Sequence, residues 1–300
     1  MSATTAGNVP RPKSRAGSME QQRRMALWAS YIALTFFVII FLIPPFYMIV
    51  TSLKTSAEIS AQAGNPWIVQ NPTFENYWEL MTNAAFQRYF INSVWVTAIT
   101  VTISMTIAIL AAFSLSRMGF KGSQVISTGV FLTYLVPPSL LFIPLFKMFA
   151  WVNEVFGVQL MNHWWTMIIL YPTLTVPFAT WIMIGYFASI PKELDEAALI
   201  DGASRLAIIR LVVIPMAWPG VIVAAVFCFI LAWNEFIFAL ILTRADAVTL
   251  QVGLASFRTE RGDVWELMAA AGILITIPAA IAATLIQKHF VSGLTGGAVK

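Results

Sequence analysis

The sequence predicts an all-α protein that crosses a membrane six times, with both termini on the cytoplasmic side. Three observations carry this reading. Hydrophobic residues make up 59% of the 300 residues and charged residues only 11%, with a mean hydropathy of +0.78. A soluble chain carries roughly 25% charged residues, so this one cannot cover its own surface with charge, and lipid is its main solvent. Secondly, stretches free of Asp, Glu, Lys and Arg recur along the chain, each reaching the roughly 20 helical residues that cross about 30 Å of hydrocarbon. Thirdly, the basic residues between those stretches divide unequally.

The expected spans are about 26–50, 89–116, 124–148, 164–188, 219–243 and 267–288. Before the first lies a leader, 1–24, rich in Ser, Thr, Gly and Pro with Arg11, Lys13 and Arg15. Its composition is that of a disordered tail. The first apolar stretch is too long for a secretory signal and lacks a small-residue cleavage pattern, so it is read as a retained span. Pro44, Pro45, Pro137, Pro138, Pro144, Pro172, Pro177 and Pro278 interrupt the apolar stretches, each removing a backbone donor. Two readings stand: proline is commoner in membrane helices, or the helices are broken around a transport path. Pro137, Pro138 and Pro144 make the third span the expected broken one. The fifth span contains Glu235, and the sixth runs into a short tail, 291–300.

With six spans, one side holds Arg11, Lys13, Arg15, Arg23, Arg24, Arg117, Lys121, Lys192, Arg205, Arg210, Lys288 and Lys300. The other holds Lys54, Arg88, Lys147, Arg244, Arg258 and Arg261. The basic excess marks the cytoplasmic side. The net charge of +4 thereby has a membrane explanation and calls for no nucleic acid.

Much chemistry is excluded. A soluble enzyme, a disordered chain and a free nucleic-acid binder do not fit the composition. The single Cys228 allows no internal disulfide. His163 and His289 stand apart, without companions at metal-ligand spacing, so no metal site is expected. No G-x-x-x-x-G-K-[ST] loop occurs, so the chain is not expected to hydrolyse ATP or hold a cofactor. Glu235 is the one acid well inside a span, which argues against a proton relay.

The signal is concentrated between spans four and five, in the loop 190–218 and the proline after it: IPKELDEAALIDGASRLAIIRLVVIPMAWP. Pro191 suits a first helical turn. Glu193, Asp195 and Glu196 follow, where acids favour the helix dipole. Ala197 and Ala198 add helix propensity, and Gly202 is a C-terminal stop. A second helix is expected over Ala203–Val213, ending before Pro215. An amphipathic helix resting on lipid would normally present Lys and Arg. This one is acidic, and anionic lipid would repel it.

The spacing of Glu196-Ala197-Ala198, Gly202, and Val212-Val213-Ile214-Pro215 resembles the EAA loop of ATP-binding-cassette importer permeases, with Val212 and Ile214 as conservative departures. Asn71 to Tyr77, Asn92-Ser93, Ser114 to Arg117, Trp233 to Phe236 and the C-terminal tail are also similar to the smaller permease subunit of maltose-type carbohydrate importers. The resemblance covers most of the chain beyond the leader. It implies the type I importer permease fold in an inner membrane. The implied partners are a second permease (a heterodimer), two copies of a cytoplasmic ATPase that bind ATP and Mg, and an extracytoplasmic solute-binding protein. It also implies that Leu194, Asp195, Glu196, Ala197, Ala198, Asp201, Gly202 and Pro215 couple the chain to the ATPase. Asp195 and Glu196 are expected to bond a basic groove on that partner.

Three further candidates each have a plain alternative. Gly293, Thr295, Gly296 and Gly297 contact the ATPase by resemblance, or form a frayed terminus. The outer loop with Gly253, Ser256, Phe257, Arg258, Thr259, Glu260 and Arg261 protrudes to the binding protein, its glycines giving freedom, or is a solvated connection. Trp233, Asn234 and Glu235 line a substrate path, where aromatic faces and polar groups suit a sugar. Alternatively they anchor at the interface or bond the partner permease. The substrate expected is a sugar, oligosaccharide or polyol. A polyamine, phosphate or amino acid importer and a self-contained carrier are the alternatives.

Overall fold

In the computed structural model the backbone is described for residues 15–61, 65–255, 257–259 and 262–297. Helix α1 (Arg15–Ser52) begins inside the segment expected to be a disordered leader. MEQQRR is made of good helix formers, and Glu20 and Arg24 pair one turn apart at 3.1 Å, so the first span extends into its flank. Residues 1–14 lie outside the described residues. The membrane part of α1 is apolar all round, with Trp28 and Phe41 69% and 74% exposed, as suits a helix solvated by hydrocarbon.

The connection between spans one and two carries α2 (Ser56–Ser60) and α3 (Glu75–Thr82). The buried Asn76 donates from its amide to the carbonyls of Ser52 and Lys54, at 2.8 and 2.9 Å. Tyr77 Oη meets Ser52 Oγ at 2.7 Å, and Lys54 Nζ donates to the carbonyls of Asn65 and Pro66. The bond to Ser52 satisfies one of the carbonyls that a helix leaves open at its end, and the others hold the segment after it. Asn76 and Tyr77 of the Asn71–Tyr77 motif therefore close this end of span one.

Helix α4 (Ala84–Arg117) is the second span, capped by Asn83 Oδ1 on the amides of Ala85 and Phe86. The third breaks as expected, into α5 (Ser123–Tyr134) and α6 (Pro138–Phe156). The fourth joins α7 (Trp164–Leu170) to α8 (Pro172–Ala188), and Pro172 sits in the first turn, where its missing donor costs nothing. Then come α9 (Glu193–Ile200), α10 (Arg205–Ile208), a π turn over Ile209–Val213, α11 (Ile214–Met216) and α12 (Trp218–Trp233). The fifth span, expected as one piece over 219–243, is divided. It stops at Trp233 and restarts as α13 (Ile237–Leu242). The loop between spans five and six holds a 3-10 turn over Ala245–Ala247, α14 (Leu250–Ala255), and an antiparallel pair of two-residue strands, β1 (Arg258–Thr259) and β2 (Gly262–Asp263). Helix α15 (Trp265–Gly297) is the sixth span. Among the described residues five helices are long and apolar enough to cross a membrane. A pair bent by 88°, Arg205–Met216 with Trp218–Trp233, makes six.

The core forms where α4, α8 and α12 meet. On the side of α9, Ala108, Ala112 and Phe113 of α4 pack with Ala179, Met183 and Phe187 of α8 and with Ala224 and Cys228 of α12. Small residues let these backbones approach closely, which is how membrane helices gain contact without a hydrophobic drive. Ser104 Oγ bonds Thr175 Oγ1 at 2.7 Å within this contact. Such interhelical bonds average only about 0.6 kcal/mol, so shape complementarity contributes more than this bond.

Candidate functional site

The segment between spans four and five folds as a helix, a glycine turn and a second helix. Acidic Glu193, Asp195 and Glu196 occupy the first turn of α9, where they complement the helix dipole. At the other end the amide of Gly202 bonds the Leu199 carbonyl at 3.0 Å, and the amide of Ala203 bonds that of Ala198 at 2.9 Å. This pair of bonds is the Schellman motif, which needs a left-handed residue. Gly202 supplies it, with φ +83°. Ser204, absent from the sequence reading, caps the next helix, its Oγ accepting from the Ala207 amide at 3.3 Å.

The second helix does not end before Pro215. The chain widens into the π turn, with the Ile214 amide bonding the Ile209 carbonyl, and continues through Pro215 to Met216. A proline ring clashes with the carbonyl four residues back, and the wider turn relieves that clash.

The two acids expected to face a partner part company. Asp195 turns inward, and its Oδ2 lies 3.4 Å from Nη1 of Arg117, with side-chain exposures of 13% and 3%. Nη2 of Arg117 donates to the carbonyls of Phe187 and Ile190 at 2.7 and 2.8 Å. Arg117 therefore binds the end of α8 and the start of α9 together, and Asp195 is engaged within the chain, not offered to a groove. Ala198 and Ala203 pack against the core beside Ile208. The opposite face, Glu193, Glu196, Ala197 and Ile200, is exposed, as are Leu194, Asp201 and Leu206. Ile200 is 87% exposed, an apolar side chain at the tip of an acidic helix.

Trp233, Asn234 and Glu235 sit at the break in span five. Trp233 is 1% exposed. Its Nε1 donates to the Ile275 carbonyl at 3.1 Å, and its ring stacks on Phe229 and meets Phe90 edge-on. Glu235 folds forward: Oε1 accepts from the Phe238 amide at 2.8 Å, and Oε2 from the Ala239 amide at 3.1 Å and Tyr171 Oη at 2.8 Å. It caps α13 and ties the break to span four within this chain. Asn234 is exposed, with its amide turned back to the Ile230 carbonyl.

The loop between spans five and six is anchored on the first turns of α4. Arg88 pairs with Asp246. The Asn92 amide donates to the carbonyls of Asp246 and Val248 at 2.7 and 2.9 Å, and Ser93 Oγ accepts from the Leu250 amide at 2.8 Å. Gly253 is not a point of freedom in a protruding loop. It is buried inside α14, and a Cβ there would lie 2.2 Å from the Tyr89 ring. Phe257 is half-buried against the cluster that contains Trp233, Leu250 and Leu267. Arg258 and Thr259 stand in β1, while Ser256, Glu260 and Arg261 lie outside the described residues. Gly293, Thr295, Gly296 and Gly297 continue α15, and their side chains lie outside the described residues. Among the described residues no group of three His, Cys, Asp or Glu side chains is arranged to hold a metal ion.

Sequence reasoning missed three elements of this arrangement: Arg117 as a clamp, Tyr171 as the partner of Glu235, and Asn92 with Ser93 as the loop's anchor. The motif positions 92–93 and 114–117 were the available signal, since a polar cluster at each end of an apolar helix needs partners.

Residues 104–296 match the family described as binding-protein-dependent transport system inner membrane component. The chain is 36% identical over 269 residues to the trehalose/maltose transport system permease protein MalG of Thermococcus litoralis, covering 87% of this chain and 92% of that one. It is 32% identical over 271 residues to the sulfoquinovosyl glycerol transport system permease protein SmoH of Agrobacterium fabrum, covering 90% and 93%. Its fold is similar to a chain of a bacterial ABC transporter involved in import of the acidic polysaccharide alginate, with a TM-score of 0.77, 23% identity, and coverage of 94% of this chain and all of that one. With the matched residues, the two relatives and the spans in agreement, this chain belongs to the binding-protein-dependent inner membrane components, the permeases of ATP-binding-cassette importers.

Proposed function

We propose that this chain is the permease subunit of an importer for a sugar, oligosaccharide or polyol, and that it supplies no catalytic group of its own. ATP and Mg are bound by two copies of a partner ATPase, a second and different permease completes the path, and an extracytoplasmic binding protein delivers the solute. Both termini face the cytoplasm. The observation that carries this reading is α9, whose inner face is fixed by Arg117 while Glu193, Glu196, Ala197 and Ile200 stand outward. An acidic helix with an exposed apolar tip suits a groove on a protein better than a lipid surface. The sugar class is supported by the trehalose/maltose and sulfoquinovosyl glycerol relatives.

In this reading, closure of the ATPases moves α9 and α10, and the core joined to them through Ile208 and Phe187 follows. The substrate path runs past Asn234, with Trp233 and Glu235 shaping the break from behind. Ser256, Arg258, Thr259, Glu260 and Arg261 meet the binding protein, with Phe257 and Gly253 supporting them. Gly293 to Gly297 meet the ATPase.

The test is purification of the tagged chain from native membranes in mild detergent, with ATP hydrolysis and uptake of labelled trehalose, maltose and glycerol measured after reconstitution. The expected result is recovery of a second permease and an ATPase, with uptake that requires ATP and the binding protein and is competed by sugars. Recovery of the chain alone, active without ATP, would overturn the reading.

A further inference from the structure

Two polar clusters sit at opposite ends of one helix. At the outer end of α4, Asn92 and Ser93 make three bonds to backbone groups of the loop at Asp246, Val248 and Leu250, beside the Arg88–Asp246 pair. At the inner end, Arg117 makes two bonds to the carbonyls of Phe187 and Ile190 and faces Asp195. The helix that carries both runs without interruption over 34 residues, and Ser93 and Arg117 lie 24 positions apart, about 36 Å at 1.5 Å per residue.

The composition of α4 sets it apart from the other spans. Pro44 and Pro45 lie inside α1, Pro144 inside α6, Pro177 inside α8 and Pro278 inside α15. Span five is bent by 88° at its start and broken after Trp233. Helix α4 has no proline and no glycine between Ala84 and Arg117, the residues at which helices kink. The one span without a hinge is thus the one bonded to the outer loop at one end and to α9 at the other.

From this juxtaposition we infer that α4 is a rigid strut that transmits displacement between the outer loop and α9, with Asn92, Ser93 and Arg117 as positioning residues. The inference rests on the importer reading above. Bonds to backbone groups suit the role, because they hold whole segments and not single side chains. The path is contiguous, as mechanical coupling through packed elements requires.

The test softens α4 in its middle without touching either anchor. Thr106 and Ile107 are adjacent, exposed on the outside of the helix and remote from both ends. Thr106→Gly with Ile107→Gly adds flexibility, while Thr106→Ala with Ile107→Ala removes the same side chains and keeps the helix stiff. The readout is a fluorophore on Arg244→Cys, an exposed outer-loop position, in the permease pair purified with its ATPase in nanodiscs and with cysteine-free partners. Cys228 is buried and does not compete. Mg-ATP with vanadate is added and the change in emission recorded.

The alanine pair is expected to keep the wild-type change. The glycine pair is expected to reduce it at least about fivefold, the lower end of ordinary coupling between two sites, while ATPase co-purifies at wild-type yield. Asn92→Ala, which removes two of the three outer backbone bonds and leaves the inner anchor intact, is expected to reduce it as well. An undiminished change in the glycine pair or in Asn92→Ala would overturn the strut. Absence of any nucleotide-dependent change in the unsubstituted complex would instead overturn the importer reading on which it rests.

Discussion

Asp195 and Glu196 are neighbours in sequence with opposite surroundings. Asp195 faces Arg117 in a nearly dry contact, and Glu196 stands in solvent. Removing one partner of a buried pair costs roughly 3–5 kcal/mol, because the other charge is left uncompensated. A surface substitution usually stays within about 0.5 kcal/mol. Arg117→Ala is therefore expected to lower the melting temperature in detergent well beyond Glu196→Lys. Glu196→Lys is expected to melt like the wild type and to lose the ATPase in co-purification. Similar melting of the two variants would contradict the division of roles. Glu235 follows the same logic inside the membrane. Its carboxylate accepts from two amides that the break in span five leaves open. Loss of a helix cap costs about 0.5–2 kcal/mol, and Tyr171 loses its partner as well. Glu235→Ala is expected to destabilise by about 2 kcal/mol, and Glu235→Gln by less, since one acceptor oxygen remains; thermal unfolding of the two variants decides.

At the scale of elements, two glycines do different work. Gly202 has open space around it and a φ of +83°, so only the backbone objects to a side chain there. A left-handed residue other than glycine costs roughly 1–2 kcal/mol. Gly202→Ala is expected to fold and bind the ATPase less well, Gly202→Asn to be the milder change, and Gly202→Val the worst. Equal ATPase recovery from all three would remove the Schellman turn from the explanation. Gly253 is limited by space, because Tyr89 occupies the position of its Cβ. Overpacking costs about 1–3 kcal/mol. Gly253→Ala is expected to displace α14 from α4 and reduce binding-protein-dependent uptake, with Tyr89→Leu in the same chain restoring part of it. A restored double variant would locate the fault in the contact and not in the glycine's flexibility.

At the scale of the whole molecule, sidedness is open to direct measurement. The one native cysteine, Cys228, is buried, so an introduced cysteine reports alone. Ile200→Cys, at an 87% exposed position, is expected to react with a membrane-impermeant maleimide only from the cytoplasmic face, and more slowly when the ATPase is bound. Labelling from outside in intact cells would invert the topology. The sequence by itself determined the solvent of this protein, because 11% charge over 300 residues admits few surfaces other than lipid. It also determined the place of four spans, the break at Pro137–Pro138 and the stop at Gly202, all of which are local consequences of apolar length, missing donors and backbone freedom. Tertiary structure alone decided that Asp195 is inward while Glu196 is outward, that Pro215 lies within a widened helix, and that Trp233 and Glu235 are spent on the chain itself. Those outcomes depend on Arg117, Ile275 and Tyr171, partners 78, 42 and 64 residues away from Asp195, Trp233 and Glu235. Pairings at that separation leave no periodicity in the sequence, and only the packing of the helices brings them together.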